Sequence, residues 1–402
     1  MSWFSLVTRK EKMFAVGLLR EKRGVYGFEL PKPRITRPTE VLTRIVENGI
    51  CGTDTNMVKY GYKDFDEGQD AMALGHEMHG IVEEVGKAVK NFRPGDHVTM
   101  PVRRGCGLCV PCNYKKSDFC QTGLFKERGI HKLDGFLTEY TVDDEEWLVK
   151  VPKGLEKYAA ASEPLSVVEK ALEQVKYVQS RAPWSCGHRE HSWQSNEWGG
   201  CKRGVVLGVG PIGFLAAALM RLGGMETTVI SRTSESDGRV KMIKKLGCDY
   251  QSVSHKPVEE VCAEMASGNQ RIDFLFEAAG APELAFRAIP FVSRSGACVL
   301  TGIPHKEVRA SLDQKQGPTT SLEPSLIDSV MLMRQITRHN LAVVGSVNSN
   351  RAHFEQALQN MRKINKKFDQ VLDGFFTQRF KLREYQKAFA AEKTMKVLVE
   401  IS

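Results

Sequence analysis

The sequence lacks long apolar runs: nothing in its 402 residues approaches the roughly 18–20 consecutive apolar residues that span a bilayer. The first residues, MSWFSLVTRKEK, contain neither an h-region of signal-peptide length nor a small-residue cleavage site. The sequence also has no internal repeat and no low-complexity segment. These absences argue against a membrane or secreted protein, and we expect a cytoplasmic protein with an N-terminal extension.

The chain carries a formal net charge of +9, yet it has no helix-like segment with a basic stripe and interleaved aromatic residues. Lys and Arg alternate with acids along most of its length, as in RKINKKFDQ. This pattern argues against nucleic-acid binding. The positive net charge is compatible with binding of a small anionic molecule, such as a phosphorylated cofactor.

Two patterns of secondary structure divide the chain. Residues 13 to about 175 are rich in Gly, Pro and short β-like runs, which predicts a mainly β domain. From about Gly204 onward, apolar strands alternate with helices, which is typical of a parallel, doubly wound α/β sheet. The tail from about Val344 resembles a helix followed by strands. We therefore predict an α/β protein with at least two domains.

The stretch LGVGPIG is a glycine-rich loop between a predicted strand and a predicted helix. Its three glycines follow the G-x-G-x-x-G pattern of dinucleotide-binding sites, in which a pyrophosphate lies at the helix N-terminus. The predicted cofactor-binding residues of this loop are Gly208, Gly210, Pro211, Ile212 and Gly213.

The second strand of this series lacks the Asp or Glu that usually binds the ribose hydroxyls of NAD. Ser231 and Arg232 stand there instead. A guanidinium suits the 2′-phosphate of NADP, so we predict NADP as the cofactor, with NAD as the alternative.

A second group of polar residues predicts an open metal site. Cys51 lies in ICGTD, His76 and Glu77 lie in LGHEM, and Glu163 precedes a proline and an apolar helix. A thiolate, an imidazole and a carboxylate from separate segments can hold zinc while leaving one position for substrate. For Glu163, a carboxylate at a helix N-terminus is the alternative interpretation.

Four cysteines lie within fifteen residues, with spacings x₂, x₂ and x₇. A bacterial ferredoxin run ends with x₃ and a proline, and a thioredoxin-like pair lies beside a βαβ unit, so neither matches. Four thiolates with no other ligand predict a closed structural zinc site in a lobe at about 103–123. We call it the four-cysteine lobe, and its ligands are Cys106, Cys109, Cys112 and Cys120.

These motifs occur in the order found in the zinc-dependent medium-chain dehydrogenases. GHE, RRGC, ERGIHKLDGF and GSVNSNRAHF resemble the archaeal-type glucose 1-dehydrogenases in particular, from about Met13 to the C-terminus. The resemblance implies a GroES-like catalytic domain, a Rossmann nucleotide-binding domain and a homo-oligomer, either a dimer or a tetramer. The implied division is 1–178 catalytic, 179–203 linker, 204–343 nucleotide-binding and 344–402 catalytic again.

The resemblance also implies oxidation of an aldose at C1 to a lactone, with two zinc ions per chain and NAD(P). Cys51, His76 and Glu77 would hold the catalytic zinc, with Glu163 as a further ligand, direct or through water, and as a sugar contact. Sugar hydroxyls would contact Glu127, His339 and Asn348, and Asn348 would also lie against the cofactor. Some relatives have Asn where this chain has Val102, which leaves the identity of the sugar open.

Thr53 lies two residues after Cys51 and is expected to hydrogen-bond the reacting oxygen and pass on its proton; an ST-turn is the alternative. Asp54 is expected either to support the metal site or to cap a helix. Two other functions remain open: a polyol or secondary-alcohol dehydrogenase on the same scaffold, and a non-catalytic NADP-binding redox sensor.

The linker holds a further set of cysteines and histidines, spaced C-x-H-x₂-H-x₉-C, in a tryptophan-rich stretch. These side chains could ligate a third metal, but the spacing matches no standard metal motif, so we expect a mobile surface loop there. The residues concerned are Cys186, His188, His191 and Cys201.

Overall fold

The computed structural model describes residues 11–61, 64–180, 186–268, 270–303, 329–392 and 394–402. The chain folds into two compact units, Met1–Lys170 with Val347–Ser402, and Ala171–Ser346. The domain limits expected from the sequence stay a prediction. No helix in the described ranges combines the length and the apolar character needed to cross a membrane.

The strands in the described residues are, in chain order, β1 Lys12–Leu19, β2 Lys22–Pro31, β3 Glu40–Ile50, β4 Ala71–Ala73, β5 Glu77–Val85, β6 His97–Thr99, β7 Arg103–Arg104, β8 Lys126–Arg128, β9 Lys132–Leu133, β10 Tyr140–Asp144, β11 Val149–Lys150, β12 Arg203–Leu207, β13 Glu226–Ser231, β14 Asp249–Ser252, β15 Ile272–Glu277, β16 Val292–Leu300, β17 Ala342–Gly345, β18 Phe376–Lys381 and β19 Lys396–Glu400.

The α-helices in the same ranges are α1 Gly52–Tyr60, α2 Val110–Asn113, α3 Ser162–Gln179, α4 Pro211–Leu222, α5 Gly238–Lys245, α6 Val258–Met265, α7 Pro282–Ala288, α8 Ser329–His339, α9 Arg351–Lys367 and α10 Tyr385–Ala390.

The first unit is built around β3, a long strand that is buried along most of its length. β3 pairs antiparallel with β5, β10 and β19 in a seven-stranded sheet. In this register Gly49 lies opposite Glu77, and Ile50 lies opposite Val397. The end of β3 therefore meets the beginnings of β5 and β19, and this meeting point positions the candidate site.

Two three-stranded sheets complete the first unit, in the orders β2-β1-β4 and β7-β8-β9. The four-cysteine lobe lies between β7 and β8 in the chain, and these strands pair so that Arg103 lies opposite Glu127. The lobe is thus closed at its base by a strand pair that carries a predicted sugar-binding residue.

The second unit contains the predicted parallel sheet, with the strand order β14-β13-β12-β15-β16-β17. All its pairings are parallel. Helices α4 and α5 follow β12 and β13, and α4 is buried from Gly213 to Met220. The order of the sheet reverses between β12 and β15, where nucleotides bind in folds of this kind.

Candidate active site

Cys51 is held at the junction of β3 and α1 as the N-cap residue of that helix. Its backbone N–H donates to Oδ2 of Asp54 at 2.9 Å, so Asp54 caps α1. The Cys51 thiol lies 3.8 Å from Oγ1 of Thr53, which belongs to the same turn. One short stretch of chain therefore presents both a thiol and a hydroxyl.

Asp54, which caps α1 as expected, also lies beside His76, and its support of a metal site stays a prediction. Its Oδ1 accepts a hydrogen bond from Gly75 N at 3.1 Å and lies 3.5 Å from Nδ1 of His76. Burial by itself would lower the pKa of His76, but the Asp54 carboxylate and the Cys51 sulfur raise it well above the usual value. The carboxylate therefore faces the ring nitrogen, as carboxylates commonly do beside metal-binding histidines.

The backbone before His76 requires glycine. Gly75 has a φ of 88°, in the left-handed region, and a Cβ there would lie 2.6 Å from Nδ2 of Asn48. A residue with a side chain would be both strained and obstructed. Gly75 therefore lets the chain turn sharply enough to aim His76 toward Cys51.

Glu77 begins β5 and is fully buried opposite Gly49. A Cβ at position 49 would lie only 2.1 Å from Oε2 of Glu77. The other carboxylate oxygen, Oε1, forms an ion pair with the buried Lys396, whose Nζ also donates to Ile50 O at 3.2 Å. Glycine at 49 thus leaves room for this carboxylate, and Lys396 offsets its charge.

The three predicted ligands converge. One ligand atom each from Cys51, His76 and Glu77 lies within 4.8 Å of the others. Among the described residues, Oε2 of Glu77 has no hydrogen-bond partner although it is buried. A buried oxygen without a partner is costly unless it binds a cation. The donor set of S, N and O therefore fits a divalent metal such as zinc.

Glu163 lies close to this cluster but is not one of its three members. It is buried in the first turn of α3, and burial is the main reason that its pKa is raised to about 7. The charge of Glu77 also raises this pKa, whereas the charge of His76 lowers it. A carboxyl group with such a pKa can exchange a proton near neutral pH. Its role as a further zinc ligand stays a prediction.

Two of the predicted sugar-binding residues meet in the first unit. Nδ2 of Asn348 donates to Oε1 of Glu127 at 2.6 Å, and Nε of Arg103 donates to the same oxygen at 2.9 Å. The guanidinium of Arg103 also stacks on the ring of Phe125 at 3.8 Å. The contact between Asn348 and Glu127 holds both polar groups in a defined arrangement.

The third predicted sugar-binding residue, His339, lies in the second unit. It ends α8, and its Nδ1 lies 3.1 Å from the carbonyl oxygen of Val292. Its sugar-binding role stays a prediction, as does the contact of Asn348 with the cofactor. Val102 is buried, at 2% exposed.

The four sulfurs of the four-cysteine lobe form a compact cluster. The Sγ–Sγ distances are 3.6 Å for Cys106–Cys109, 3.8 Å for Cys106–Cys112 and 4.0 Å for Cys109–Cys120. When four sulfurs surround zinc in a tetrahedron with Zn–S bonds of about 2.3 Å, neighbouring sulfurs are about 3.8 Å apart. All four cysteines are free of disulfides. The sulfurs therefore have the spacing of a closed zinc site.

The glycine loop of the second unit has the backbone that its pattern predicts. Gly208 has a φ of 107°, and a Cβ at Gly213 would lie 2.1 Å from Gly208 O. Gly210 is the N-cap of α4, and Pro211 and Ile212 form the first turn of that helix. A Cβ at Gly210 would meet no group of the described residues within 4 Å apart from its chain neighbours, so the helix N-terminus is open at this point.

Arg232 follows Ser231 at the end of β13, and it is exposed. The two nearest acids on the next loop, Glu235 and Asp237, form ion pairs with Lys244 and Arg239 instead. The arrangement leaves the Arg232 guanidinium available to an anionic group from solution.

Two family models cover nearly the whole chain. The alcohol dehydrogenase GroES-like domain matches residues 37–153, and the glucose dehydrogenase C-terminus matches residues 156–401. A glucose 1-dehydrogenase of Methanocella arvoryzae is 34% identical over 364 residues, which cover 90% of this chain and 92% of the relative. The chain belongs to the glucose 1-dehydrogenase family of medium-chain dehydrogenases. The resemblance inferred from the motifs is confirmed.

Other members of the glucose 1-dehydrogenase family support the same assignment. One from Thermoproteus tenax is 30% identical, covering 93% of this chain and 94% of the relative. A Haloferax mediterranei glucose dehydrogenase, solved in complex with NADP, zinc and gluconolactone, superposes with a TM-score of 0.80 at 27% identity. That match covers 97% of this chain and 99% of the other. The predicted combination of a GroES-like and a Rossmann fold is confirmed.

Two residues that contact the predicted site residues were not predicted from the sequence: Lys396, which pairs with Glu77, and Arg103, which bonds to Glu127. Lys396 carried a weak signal, because it is a lone lysine at the start of the apolar strand KVLVE, which is largely buried. Arg103 lies at the start of the four-cysteine lobe, and its sequence context gave no signal of its contact with Glu127.

Proposed function

We propose that the protein is a zinc-dependent glucose 1-dehydrogenase that oxidises C1 of an aldose to the lactone. One hydride passes to NADP⁺, and the C1 hydroxyl releases one proton. The observation that carries the proposal is the convergence of Cys51, His76 and Glu77, in which the buried Oε2 of Glu77 has no hydrogen-bond partner among the described residues. The family membership and the glycine loop support it.

The residues of the chain divide the work of the zinc site. Cys51, His76 and Glu77 would hold the zinc, which when bound acts as a Lewis acid on the oxygen at C1. Asp54 keeps His76 in position, and Lys396 offsets the charge of Glu77. Thr53 offers a hydroxyl beside Cys51 that would accept a hydrogen bond from the C1 hydroxyl and relay its proton onward to solvent.

Sugar recognition would use the polar pair of Glu127 and Asn348. Their mutual hydrogen bond leaves oxygen lone pairs and one amide N–H for substrate hydroxyls. A site of this kind discriminates strongly against analogues that lack a hydroxyl, because its buried polar groups would then be unpaired. This supports an aldose rather than a simple secondary alcohol.

The direct test is reduction of NADP by the purified protein across glucose, galactose, xylose, sorbitol and 2-propanol, with and without a chelator. We expect turnover with at least one aldose, its loss with the chelator and its return with zinc. Preference for sorbitol or 2-propanol would favour the polyol or secondary-alcohol alternative. No turnover by zinc-loaded protein with any substrate would overturn the proposal.

Cys51→Ala should lower kcat/KM by about a thousandfold, because a Lewis acid supplies several kcal/mol at the transition state. Cys248→Ala is the matched control, since Cys248 is buried and belongs to none of the donor clusters. Fluorescence titration with NADPH should show that both variants still bind the cofactor. Retention of most of the activity by Cys51→Ala would contradict the zinc site.

The cofactor assignment has its own test at Arg232. Arg232→Ala should raise the KM for NADP about 10- to 100-fold and leave the KM for NAD unchanged, because a hydrogen bond to a charged group contributes about 1.5–3 kcal/mol. Arg203→Ala is the control, since Arg203 pairs with Glu226 at the opposite end of β13. Equal effects of Arg232→Ala on the two cofactors would contradict a 2′-phosphate contact.

A further inference from the structure

The linker segment before β12 gathers four side chains that the proposed reaction does not use. Cys186, His188, His191 and Cys201 each present one ligand atom, and all four atoms lie within 4.8 Å of one another. The sequence predicted a mobile surface loop here, because the spacing matches no standard motif. The described residues bring the two cysteines and two histidines together, which favours the alternative of a metal site.

The distances within this linker cluster match those of a tetrahedral metal site. Sγ of Cys186 lies 3.4 Å from Nδ1 of His191, and Sγ of Cys201 lies 3.7 Å from Nδ1 of His188. Bonds of about 2.3 Å to sulfur and about 2.05 Å to nitrogen give tetrahedral S–N edges of about 3.6 Å. The two measured edges lie on either side of this value.

A glycine positions the ring of His191 so that one of its nitrogens faces a sulfur. A Cβ at Gly200 would lie 2.5 Å from Nε2 of His191, so this edge of the ring packs directly against the glycine. Nδ1 of His191 is thereby left facing Cys186. Cys201 itself has a φ of 55°, a left-handed conformation that costs free energy for a residue with a side chain.

Two tryptophans anchor the segment to the parallel sheet. Trp193 and Trp198 are both buried, and their rings stack at 5.6 Å. Trp193 also meets the ring of Phe274 in β15 edge to face. A Cβ at Gly223 would lie 2.3 Å from the indole nitrogen of Trp198, so this glycine makes room for the ring. The scaffold of the cluster is therefore packed.

Lys202 closes the segment from the other side. It is 4% exposed, and its Nζ donates to the carbonyl oxygens of His191 at 2.6 Å and Trp198 at 2.7 Å. These two bonds tie the middle of the segment to the residue that directly precedes β12. The ligands are thus held in place by contacts other than a metal.

We infer that Cys186, His188, His191 and Cys201 form a closed structural zinc site that fixes the segment leading into β12. Two thiolates and two imidazoles fill all four positions of tetrahedral zinc, so no position is open to a substrate. The softness of this donor set excludes magnesium and calcium. The site makes three zinc ions per chain where the sequence predicts two.

The linker cluster and the glycine loop lie at opposite ends of β12. Cys201 lies just before the amino end of β12, whereas Gly208 of the glycine loop follows the carboxyl end. A strand of this length rises about 3.3 Å per residue, which puts these residues roughly 20 Å apart. Loss of this zinc should therefore lower stability before it affects cofactor binding.

The test is the number of zinc ions per chain, measured by elemental analysis and native mass spectrometry on full-length protein purified with a reductant. The wild-type protein should carry three zinc ions and the double variant His188→Asn/His191→Asn two, with a lower unfolding temperature. His255→Asn is the matched control, because His255 is exposed and outside every cluster, and it should keep three.

The replacement His188→Cys preserves a zinc ligand and should also keep three zinc ions, which separates ligand loss from general disruption. If the double variant does not fold, the wild-type count still decides. Two zinc ions in the wild-type protein, with the Cys51 site shown to be filled by zinc-restored turnover, would overturn the inference. So would a Cys186–Cys201 disulfide in peptide mass spectrometry of the reductant-purified protein.

Discussion

At the scale of single residues, the candidate active site depends on small groups that leave space for larger ones. Gly49 has no side chain that could bind a metal. The space this leaves allows the Glu77 carboxylate to pack against β3 and to pair with Lys396. Asp54 serves two neighbours at once, since one oxygen caps α1 and the other supports His76. These residues hold ligands rather than react.

Gly49→Ala should therefore impair the site without touching a ligand. The added Cβ would lie 2.1 Å from Oε2 of Glu77, so the carboxylate must move. A displacement of about 1 Å at a reacting centre costs roughly a hundredfold in rate, and we expect that loss in kcat/KM. Steady-state kinetics and the zinc content of the variant measure it.

Gly238→Ala is the control for this replacement, because a Cβ there meets nothing within 4 Å. Gly238 also begins a helix, where alanine is favourable. Wild-type kinetics and zinc content in Gly49→Ala would show that Glu77 does not need its present position.

At the scale of elements, a buried ion triad joins three short strands beside the four-cysteine lobe. Asp143 in β10 lies 2.7 Å from Arg128 of β8 and also pairs with Arg104 of β7. All three side chains are nearly buried. Burial alone would raise the pKa of Asp143, but the two guanidinium groups lower it below its usual range.

Asp143→Asn should lower the free energy of unfolding by about 3–5 kcal/mol at pH 7, because two buried cations lose their partner. Since the folded pKa is depressed, the stabilisation is present above the unfolded pKa of about 3.9 and is lost as the pH falls further. Urea unfolding of both proteins from pH 7 downward measures the difference.

The exposed pair of Arg351 and Glu355 supplies the comparison for this triad. Glu355→Gln should change the free energy of unfolding by no more than about 0.5 kcal/mol, as exposed helix pairs do. A loss in Asp143→Asn as small as this would show that the triad does not stabilise the lobe.

The secondary structure of the second unit could be predicted because its signals are local. The apolar strand, glycine loop and apolar helix from Arg203 to Leu222 follow one another within twenty residues, and the structure has them in that order. The linker could not be predicted in this way. Its tryptophans are buried against Phe274 and Gly223, which lie elsewhere in the sequence. The linker sequence itself therefore has no helix or strand periodicity from which its structure could be predicted.

At the scale of the whole molecule, the candidate metal sites differ in the number of donor atoms that the chain supplies. Cys51, His76 and Glu77 supply three donors, whereas the four-cysteine lobe supplies four. Zinc held by three protein ligands exchanges more readily, because one position is open to water or a competing chelator.

A mild chelator should therefore remove zinc from the Cys51 site first and abolish turnover while the fold persists. Zinc counted by elemental analysis, beside circular dichroism and activity, measures the order of loss. Added zinc should restore the activity. Loss of helical signal together with the first zinc released would contradict this order.

The sequence by itself determined the family, the two fold types and the two locally encoded sites. The four-cysteine lobe and the glycine loop lie within short stretches, so residue spacing nearly fixes their geometry. Cys51, His76 and Glu77 could be named as candidates from their residue types, but their meeting depends on the pairing of β3 with β5.

Only the tertiary structure decided which distant groups complete these sites. Lys396 reaches Glu77 across 319 residues because β19 pairs with the end of β3, and Asn348 reaches Glu127 across 221. The linker cluster forms because buried tryptophans hold its backbone in place. Strand register and burial bring such distant residues together. The sequence around either residue does not show which distant residue it will contact.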